Sequence, residues 1–289
     1  MSKSQLLKQF KQYTKDNRMP FTDCSDNAMR IMVFNVHIWK DIDNKDRYRD
    51  ILEVIGKSNA DIIGLIEIML YNISFENLKN NLAKIGYDNV IVSNSKFGIN
   101  LIGTKKLPFV SWSNIRLIKD PIKNMTRHAL FASIMTKKKN NKIINIVLTH
   151  LDIYDETEQT RYKQIKQILH EIKHLDHKND IIFGDFNSLR MDDYTETEWA
   201  NIIDTDKQRG VTTQTIVTEL IERSHHDSFD LVSSDTEDEN EENKHNITVW
   251  SNRRVDYVYF NKKSTFKVIS SNVYPTLVSD HYPVYVDFC

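Results

Sequence analysis

The chain has 289 residues, with 40% hydrophobic, 27% charged, and Lys+Arg 39 against Asp+Glu 40. This is enough apolar material for a sizeable core, and the near-neutral balance argues against binding polyanions through bulk charge, although a local basic groove stays open. The only cysteines, Cys24 and Cys289, exclude a disulfide framework and a cysteine-ligated zinc cluster. No apolar run reaches transmembrane length or forms the core of a secretory leader, so an intracellular protein is expected.

Residues 1–29 stand apart as an N-terminal helical extension. Leu6, Leu7, Phe10 and Tyr13 recur at helical spacing among lysines, and Met19-Pro20 ends the segment. Such a helix either caps the edge of the fold or serves as a basic arm toward a polyanion. Residues 30–289 read as one domain. Arg30 to Asn35 is its first buried strand. Tyr48, Ile51, Leu52 and Ile55 mark an amphipathic helix over 45–57, broken at Asn59-Ala60-Asp61. A second apolar strand, Ile62 to Ile66, ends in Glu67. Phe75, Leu78, Leu82 and Ile85 give the next helical face, followed by strands at 90–92 and 99–102. The segment 104–128 reads as loop, with Pro108, Pro121 and the pair Arg127-His128. Strands at 129–135 and 143–148 are joined by a lysine-rich turn over 137–142, and the second runs into Thr149-His150-Leu151.

A helix over 157–177 is expected to be the longest, with an acidic start (Asp155, Glu156, Glu158) and a basic end suited to the helix dipole. His170, His174 and His177 fall on its polar face and read as solvated rather than metal-ligating. Next comes Asp180-Ile-Ile-Phe-Gly-Asp-Phe-Asn-Ser188. Three apolar residues form a strand that delivers Asp185 and Asn187 to its C-terminal end, and Gly184 permits a sharp turn or a close approach. A helix is expected over 196–204. The stretch 233–246 is acidic and poor in apolar residues and reads as a surface loop. Strands at 255–260, with Asp256 inside the pattern, and at 268–269 precede Ser279-Asp280-His281 and a last strand. No internal repeat is apparent.

Strands that alternate with helices, some of them paired as hairpins, predict a mixed sheet system covered by helices. Asn35, Glu67, His150, Asp185, Asn187, Asp280 and His281 stand at strand ends, and Asp256 lies within a strand. Asn, Asp, Glu and His together are suited to hydrolysing a phosphate ester with a hard metal ion. Glu67 and another oxygen donor suit Mg²⁺, Asp185 suits orientation or deprotonation of water, and His281 held by buried Asp256 suits an imidazolium that binds phosphate. Zinc spacing, a nucleophilic serine elbow, a Walker loop and a Gly-rich dinucleotide turn are all missing from the sequence.

In their order, Phe34-Asn35, Asp61-Ile-Ile-Gly-Leu-Ile-Glu67, Thr149-His150-Leu151, Gly184-Asp185-Phe186-Asn187, Arg254-Val-Asp256-Tyr257 and Ser279-Asp280-His281 are similar to the motifs of the endonuclease/exonuclease/phosphatase superfamily, across residues 30–288. The resemblance implies a deoxyribonuclease I-like four-layered α/β sandwich: two packed mixed β-sheets flanked by helices. It implies Glu67 as principal metal ligand, assisted by Asn35 and Asp280, with Mg²⁺ bound and Mn²⁺ as a substitute. It makes Asp185, helped by Asn187, the residue that positions water, with His281 its rival as base. His281 and Asp256 become a phosphate-binding dyad, His150 a second phosphate-facing histidine and Arg127 a phosphate contact.

The chain also departs from its relatives. Ile66 replaces the usual glutamine, Phe97 a common tyrosine, and His37 an aspartate of exonuclease III-type enzymes, while the Cys-Asp-Arg motif of inositol phosphatases is absent. Leu189-Arg190 is similar to tyrosyl-DNA phosphodiesterases. The expected function is a Mg²⁺-dependent phosphodiesterase with nucleic acid as substrate, with Lys105, Lys106, Arg253 and Arg254 as further candidates for phosphate contacts. The alternatives are a phosphatase or phospholipase acting on an inositol phosphate or sphingolipid, and a catalytically silent binding module of the same fold.

Overall fold

The computed structural model describes residues 3–16, 21, 28–71, 73–95, 98–136, 142–175, 179–233 and 246–289. Cys24, Phe97, His177, most of the lysine-rich turn and nearly all of the acidic stretch 233–246 lie outside the described residues.

Strand β1 (Met29–Asn35) leads through helix α2 (Tyr48–Ser58) into the parallel strand β2 (Ile62–Ile68). Asn59 ends α2 in the left-handed conformation, one that asparagine tolerates better than most residues. Helix α3 (Phe75–Lys84), capped by the Ser74 hydroxyl, precedes β3 (Asn89–Val92) and β4 (Ile99–Thr104). The second half begins with β5 (Phe109–Arg116), β6 (His128–Met135) and β7 (Ile143–His150), and crosses through α4 (Gln159–Ile172) to the parallel strand β8 (Asp180–Asp185). Helices α5 (Glu196–Gln208) and α6 (Ile216–Glu222), strand β9 (His225–Asp227), helix α7 (Ser228–Ser233) and strands β10 (Asp256–Asn261), β11 (Val268–Val273) and β12 (Val284–Phe288) follow. An N-terminal helix, α1 (Lys3–Asp16), buries Phe10 and Thr14.

The strands form two six-stranded sheets, β11-β12-β1-β2-β4-β3 and β5-β6-β7-β8-β10-β9. Each has one parallel pair at its centre, β1/β2 or β7/β8, and antiparallel neighbours outside it. A parallel pair needs a crossover, and α2 and α4 supply the two. The side-chain period of two sorts the core into layers. Ile31 and Val33 of β1 meet Ile146 and Leu148 of β7 and Ile181 and Phe183 of β8 between the sheets. Met32, Phe34, Ile63 and Leu65 face the other way onto α2 and α3. Val147, Ile182 and Tyr257 do the same onto α4 and α6. The result is the expected four-layered α/β sandwich of two mixed sheets between helices. Phe183 closes over Gly64 of β2, where a Cβ would lie 2.4 Å from its ring, so the smallest residue of one sheet receives the largest side chain of the central strand of the other.

Several expectations are corrected. The loop expected over 104–128 contains β5. It is an edge strand exposed along much of its length, Trp112 included, so no apolar face marks it in the sequence. Helix α4 is shorter than 157–177, and at 14 residues it equals α1. Its acidic start serves other ends than the dipole alone. Asp155 Oδ2 accepts from Thr160 N–H inside the first turn, 2.7 Å. Glu158 turns its carboxylate to Ser188 Oγ and to the N–H groups that open α6. His170 and His174 lie exposed, with ring nitrogens 3.4 Å apart.

Candidate active site

The site lies where the strands of both sheets run out of apolar residues. On β1 the inward series Ile31, Val33 ends in Asn35. On β7 the series Ile144, Ile146, Leu148 ends in His150, and on β8 Ile181, Phe183 ends in Asp185. Asp256, which pairs with Asp185 across the ladder, opens the inward series of β10. These polar groups are thus the next layer of the core at the C-terminal ends of the two parallel pairs, and each is about 1% exposed.

Glu67 breaks that parity. By alternation it would face α2 and α3, away from the other sheet. The β2–β4 register slips between Leu65 and Ile68, and Glu67 sits in this bulge at φ 60°. A bulge re-aims a side chain, and a left-handed backbone at a non-glycine residue is strain found mostly at functional positions. The turn brings Glu67 Oε1 to 3.7 Å from His150 Nε2 in the opposite sheet. The strand therefore runs through Glu67 rather than ending there.

Other contacts also cross between the sheets. Asn35 Nδ2 donates to Asp185 Oδ2 (3.2 Å), and Asn35 Oδ1 accepts from His37 N–H (3.0 Å). Asn187 N–H donates to Asp185 Oδ1 (3.0 Å), while its amide turns to Leu151 O. His281 Nδ1 donates to Asp256 Oδ2 at 2.8 Å, with Nε2 3.9 Å from Asp185 Oδ2. Arg127 Nη1 donates to His150 Nδ1 at 3.1 Å. A guanidinium cannot accept, so His150 carries its proton on Nε2. That Nε2–H is buried and has no hydrogen-bond partner, with Asp185 and Glu67 beyond bonding distance at 3.6 and 3.7 Å. Asp280 stands at the rim, 3.5 Å from His37 Nδ1.

Burial fixes the charge states. It pushes the Asp185 carboxyl up to about 7, with the negative charges of Asp256 and Glu67 adding to the effect and His281 and the Asn187 N–H opposing it. Burial also works against a charged His281. Asp256, through charge and hydrogen bond, and then Asp280 and Asp185 outweigh it, so this imidazole stays protonated well above the ordinary histidine range. His150 goes the other way, because burial, Arg127 and His281 all disfavour its charge. The site thus pairs one charged and one neutral histidine across a carboxylate.

Sequence reasoning did not assign a role to Ser279. Its hydroxyl donates to Asn35 O (2.8 Å) and accepts from His281 N–H (3.2 Å), joining the end of β1 to the histidine. The Ser-x-His spacing is the signature of that turn. His37, Ile38 and Trp39 all have positive φ (42°, 51°, 67°), a left-handed turn that begins one residue beyond Asn35, after Val36.

Three expected phosphate contacts are overturned. Lys105 lies at the far end of β4, where its N–H bonds Asp61 O and its amine bonds Asn59. Arg253 pairs with Asp206. Arg254 is buried between Asp193 (2.6 Å) and Asp227 (2.7 Å), under the rings of Phe229 and Tyr257. Arg190 joins the same network through Asp227, Asp230 and Glu222 and so buttresses the loop behind the site. Arg253 and Arg254 are near a motif in sequence but turn to carboxylates of the protein itself, and Lys105 turns to Asn59, away from the site.

Two mixed sheets between helices, with a carboxylate–histidine site across their shared edge, define a deoxyribonuclease I-like sandwich. Residues 38–281 match the Endonuclease/Exonuclease/phosphatase family, and the chain belongs to it; members of this family are phosphoric ester hydrolases. No curated protein matches the sequence. Solved structures share the fold. The human Nocturnin catalytic domain with bound sulfate superposes with TM-score 0.67 at 21% identity over 95% of this chain and 97% of that one. D. rerio TDP2 in complex with a single-strand DNA product gives 0.62 at 17% identity over 91% and 100%. ANGEL2, described as a 2′,3′-cyclic phosphatase, gives 0.63 at 14% identity over 94% and 98%. Among the described residues no helix is long and apolar enough to cross a membrane.

Proposed function

We propose that this chain is a Mg²⁺-dependent phosphodiesterase whose substrate is nucleic acid. The observation that carries the reading is the buried, unpartnered His150 Nε2–H set beside a charged His281 and facing Glu67 and Asp185. Donors on one side and carboxylates on the other are what an anionic ester and a cation need together. The oxygen donors Glu67, Asp280 and Asn35 fit a hard divalent ion. Asp185, Asp256 and His281 also present ligand atoms within 4.8 Å of one another, but the His281–Asp256 hydrogen bond makes this group a proton-holding dyad rather than a cage. Glu67, assisted by Asp280 and Asn35, would hold the ion, which would supply neutralisation of charge on the phosphoryl oxygens and on the leaving oxygen.

The chain's own groups do the rest. The Asn35 amide and the Asn187 N–H fix the Asp185 carboxylate on both oxygens, and its raised proton affinity suits it to take a proton from attacking water near neutrality. His281, oriented by Asp256, donates from Nε2 to a phosphoryl oxygen. His150 donates from its own Nε2 to another, with Arg127 holding its tautomer. The D. rerio TDP2 structure with its DNA product supports nucleic acid as substrate. A small cyclic or terminal phosphate is the second reading, favoured by the internal ion pairs that occupy Arg253 and Arg254.

Hydrolysis of single- and double-stranded DNA, RNA, a 5′-tyrosyl oligonucleotide, a 2′,3′-cyclic nucleotide, an inositol polyphosphate and sphingomyelin, with and without chelator, tests the proposal. Chelator-sensitive cleavage of a polynucleotide that is lost in Glu67→Ala is the expected result. Turnover confined to the other compounds refutes it.

A further inference from the structure

By sequence, α1 is either a cap on the fold or a basic arm. The structure gives it a specific partner. Both residues that α1 buries, Phe10 and Thr14, touch Tyr282, the residue directly after His281. The Phe10 ring stacks on the Tyr282 ring, with centroids 5.0 Å apart and planes 7° apart, and Tyr13 stacks on it as well at 5.6 Å and 18°. Thr14 Oγ1 donates to Phe10 O (2.6 Å), which leaves it to accept from the Tyr282 hydroxyl (3.1 Å). Away from this contact α1 reaches Asn252 through Gln9 (3.1 Å) and Asp43 through Lys11 (3.5 Å).

Tyr282 is joined to both halves of the dyad through one residue, the fully buried Thr248. The Tyr282 N–H donates to Thr248 O (2.7 Å), and the Thr248 hydroxyl accepts from the N–H groups of Val255 and Asp256 (3.0 and 3.2 Å). A bridge between Val249 and His281 runs alongside. The backbones on either side of the 2.8 Å His281–Asp256 hydrogen bond therefore share one staple, and the aromatic ring next to that staple is held by α1. We propose that Phe10 and Thr14 are positioning residues for the His281–Asp256 dyad, acting through Tyr282. The inference rests on the reading of His281 as the phosphate-binding group and deepens it, because a helix outside the two sheets then sets the aim of that imidazole. A helix of 14 residues is marginal by itself, so α1 depends on these contacts for its order, and the segment it holds opens locally when they are removed.

Amide hydrogen exchange in chelator reads the hold on the dyad without any substrate, and steady-state kinetics on the phosphate ester that the wild type hydrolyses reads its consequence. Phe10→Ala is expected to speed exchange at His281 and Tyr282 about tenfold or more, with Ile181 to Phe183 of β8 unchanged. It should lower kcat about ten- to a hundredfold with KM within about twofold. In a Tyr282→Leu background the same substitution should change little, since both act through one contact. Thr14→Val, which keeps the shape and loses the hydroxyl, should move exchange and kcat the same way by about threefold or more, and Thr14→Ser should restore them. Wild-type exchange at His281 and Tyr282 in folded Phe10→Ala and Thr14→Val, or a loss confined to KM, overturns the proposal. Faster exchange in a protein that hydrolyses no phosphate ester leaves the hold on the dyad standing and removes the catalytic reading of the site. Hydrolysis by Phe10→Ala at the wild-type kcat removes the positioning role alone.

Discussion

Replacing Asp256 by asparagine isolates one charge in the dyad. The new side chain has nearly the same shape and still accepts from His281 Nδ1, so the 2.8 Å hydrogen bond survives while the carboxylate is lost. With charge centres about 4 Å apart and an effective dielectric constant of about 20, the lost attraction is about 4 kcal/mol, or roughly three pKa units. Burial, which disfavours the charge on His281, is then opposed only by Asp280 and Asp185. The alkaline limb of the kcat/KM profile is therefore expected to move down by roughly two to three units. The same sign appears in stability. The raised pKa of His281 contributes stability that is full below the unfolded histidine value and is lost as pH rises through the folded one, so Asp256→Asn should lose more stability at about pH 6 than at alkaline pH. Proton NMR titration of the imidazole in chelator, alongside the pH–rate profile, makes the measurement. An imidazole that titrates as in wild type and an unmoved alkaline limb would refute the reasoning, because Asp256 would then not be the group that holds the charge.

Glu67→Gln is expected to lower Mg²⁺-supported hydrolysis by about a hundredfold or more while leaving the thermal midpoint in chelator nearly unchanged; steady-state assay and calorimetry check the two halves. Gly184→Ala places a Cβ 1.9 Å from the Thr149 carbonyl oxygen at φ 153°, so no side-chain truncation should rescue it. Gly64→Ala meets only the Phe183 ring and Leu148; urea melts should show a loss of about 1 to 3 kcal/mol that Phe183→Leu partly restores. Arg254→Ala leaves the buried carboxylates Asp193 and Asp227 with Arg190 as their one remaining cation and should cost at most about 3 to 5 kcal/mol in the same assay, with activity per folded molecule largely retained.

The layers were legible because period-two alternation carries physical meaning in a strand buried on both faces. Ile181-Ile-Phe183 running into Gly-Asp showed both the strand and its polar end. The same arithmetic misleads at Glu67, which reaches the site through a bulge that no alternation encodes. Strand β5 escaped notice because an exposed edge has no buried face to mark it. Arg253, Arg254 and Lys105 show a different limit: sequence places a charge near a motif but does not show which way its side chain leaves the backbone. Gly184 was read as freedom to turn or to approach a ligand, whereas what it approaches is the neighbouring strand, β7. The matched polarity of the two sheets left no trace as a repeat, since pairing direction is set by tertiary contacts.

The division of the site between two sheets has a consequence for timing during synthesis. Asn35 and Asp185 touch across 150 positions of chain. His281 immediately precedes β12, which closes the first sheet by pairing Arg30 with Asp287 alongside β1. Until β12 has left the ribosome β1 lacks one neighbour, and until the segment before it has emerged the dyad has only its aspartate. A nascent chain therefore carries Glu67 and Asp185 long before it carries Asp280 and His281, and until then the proposed site is incomplete. The order of strands acts as a delay: the proposed site is complete only when β12 pairs with β1.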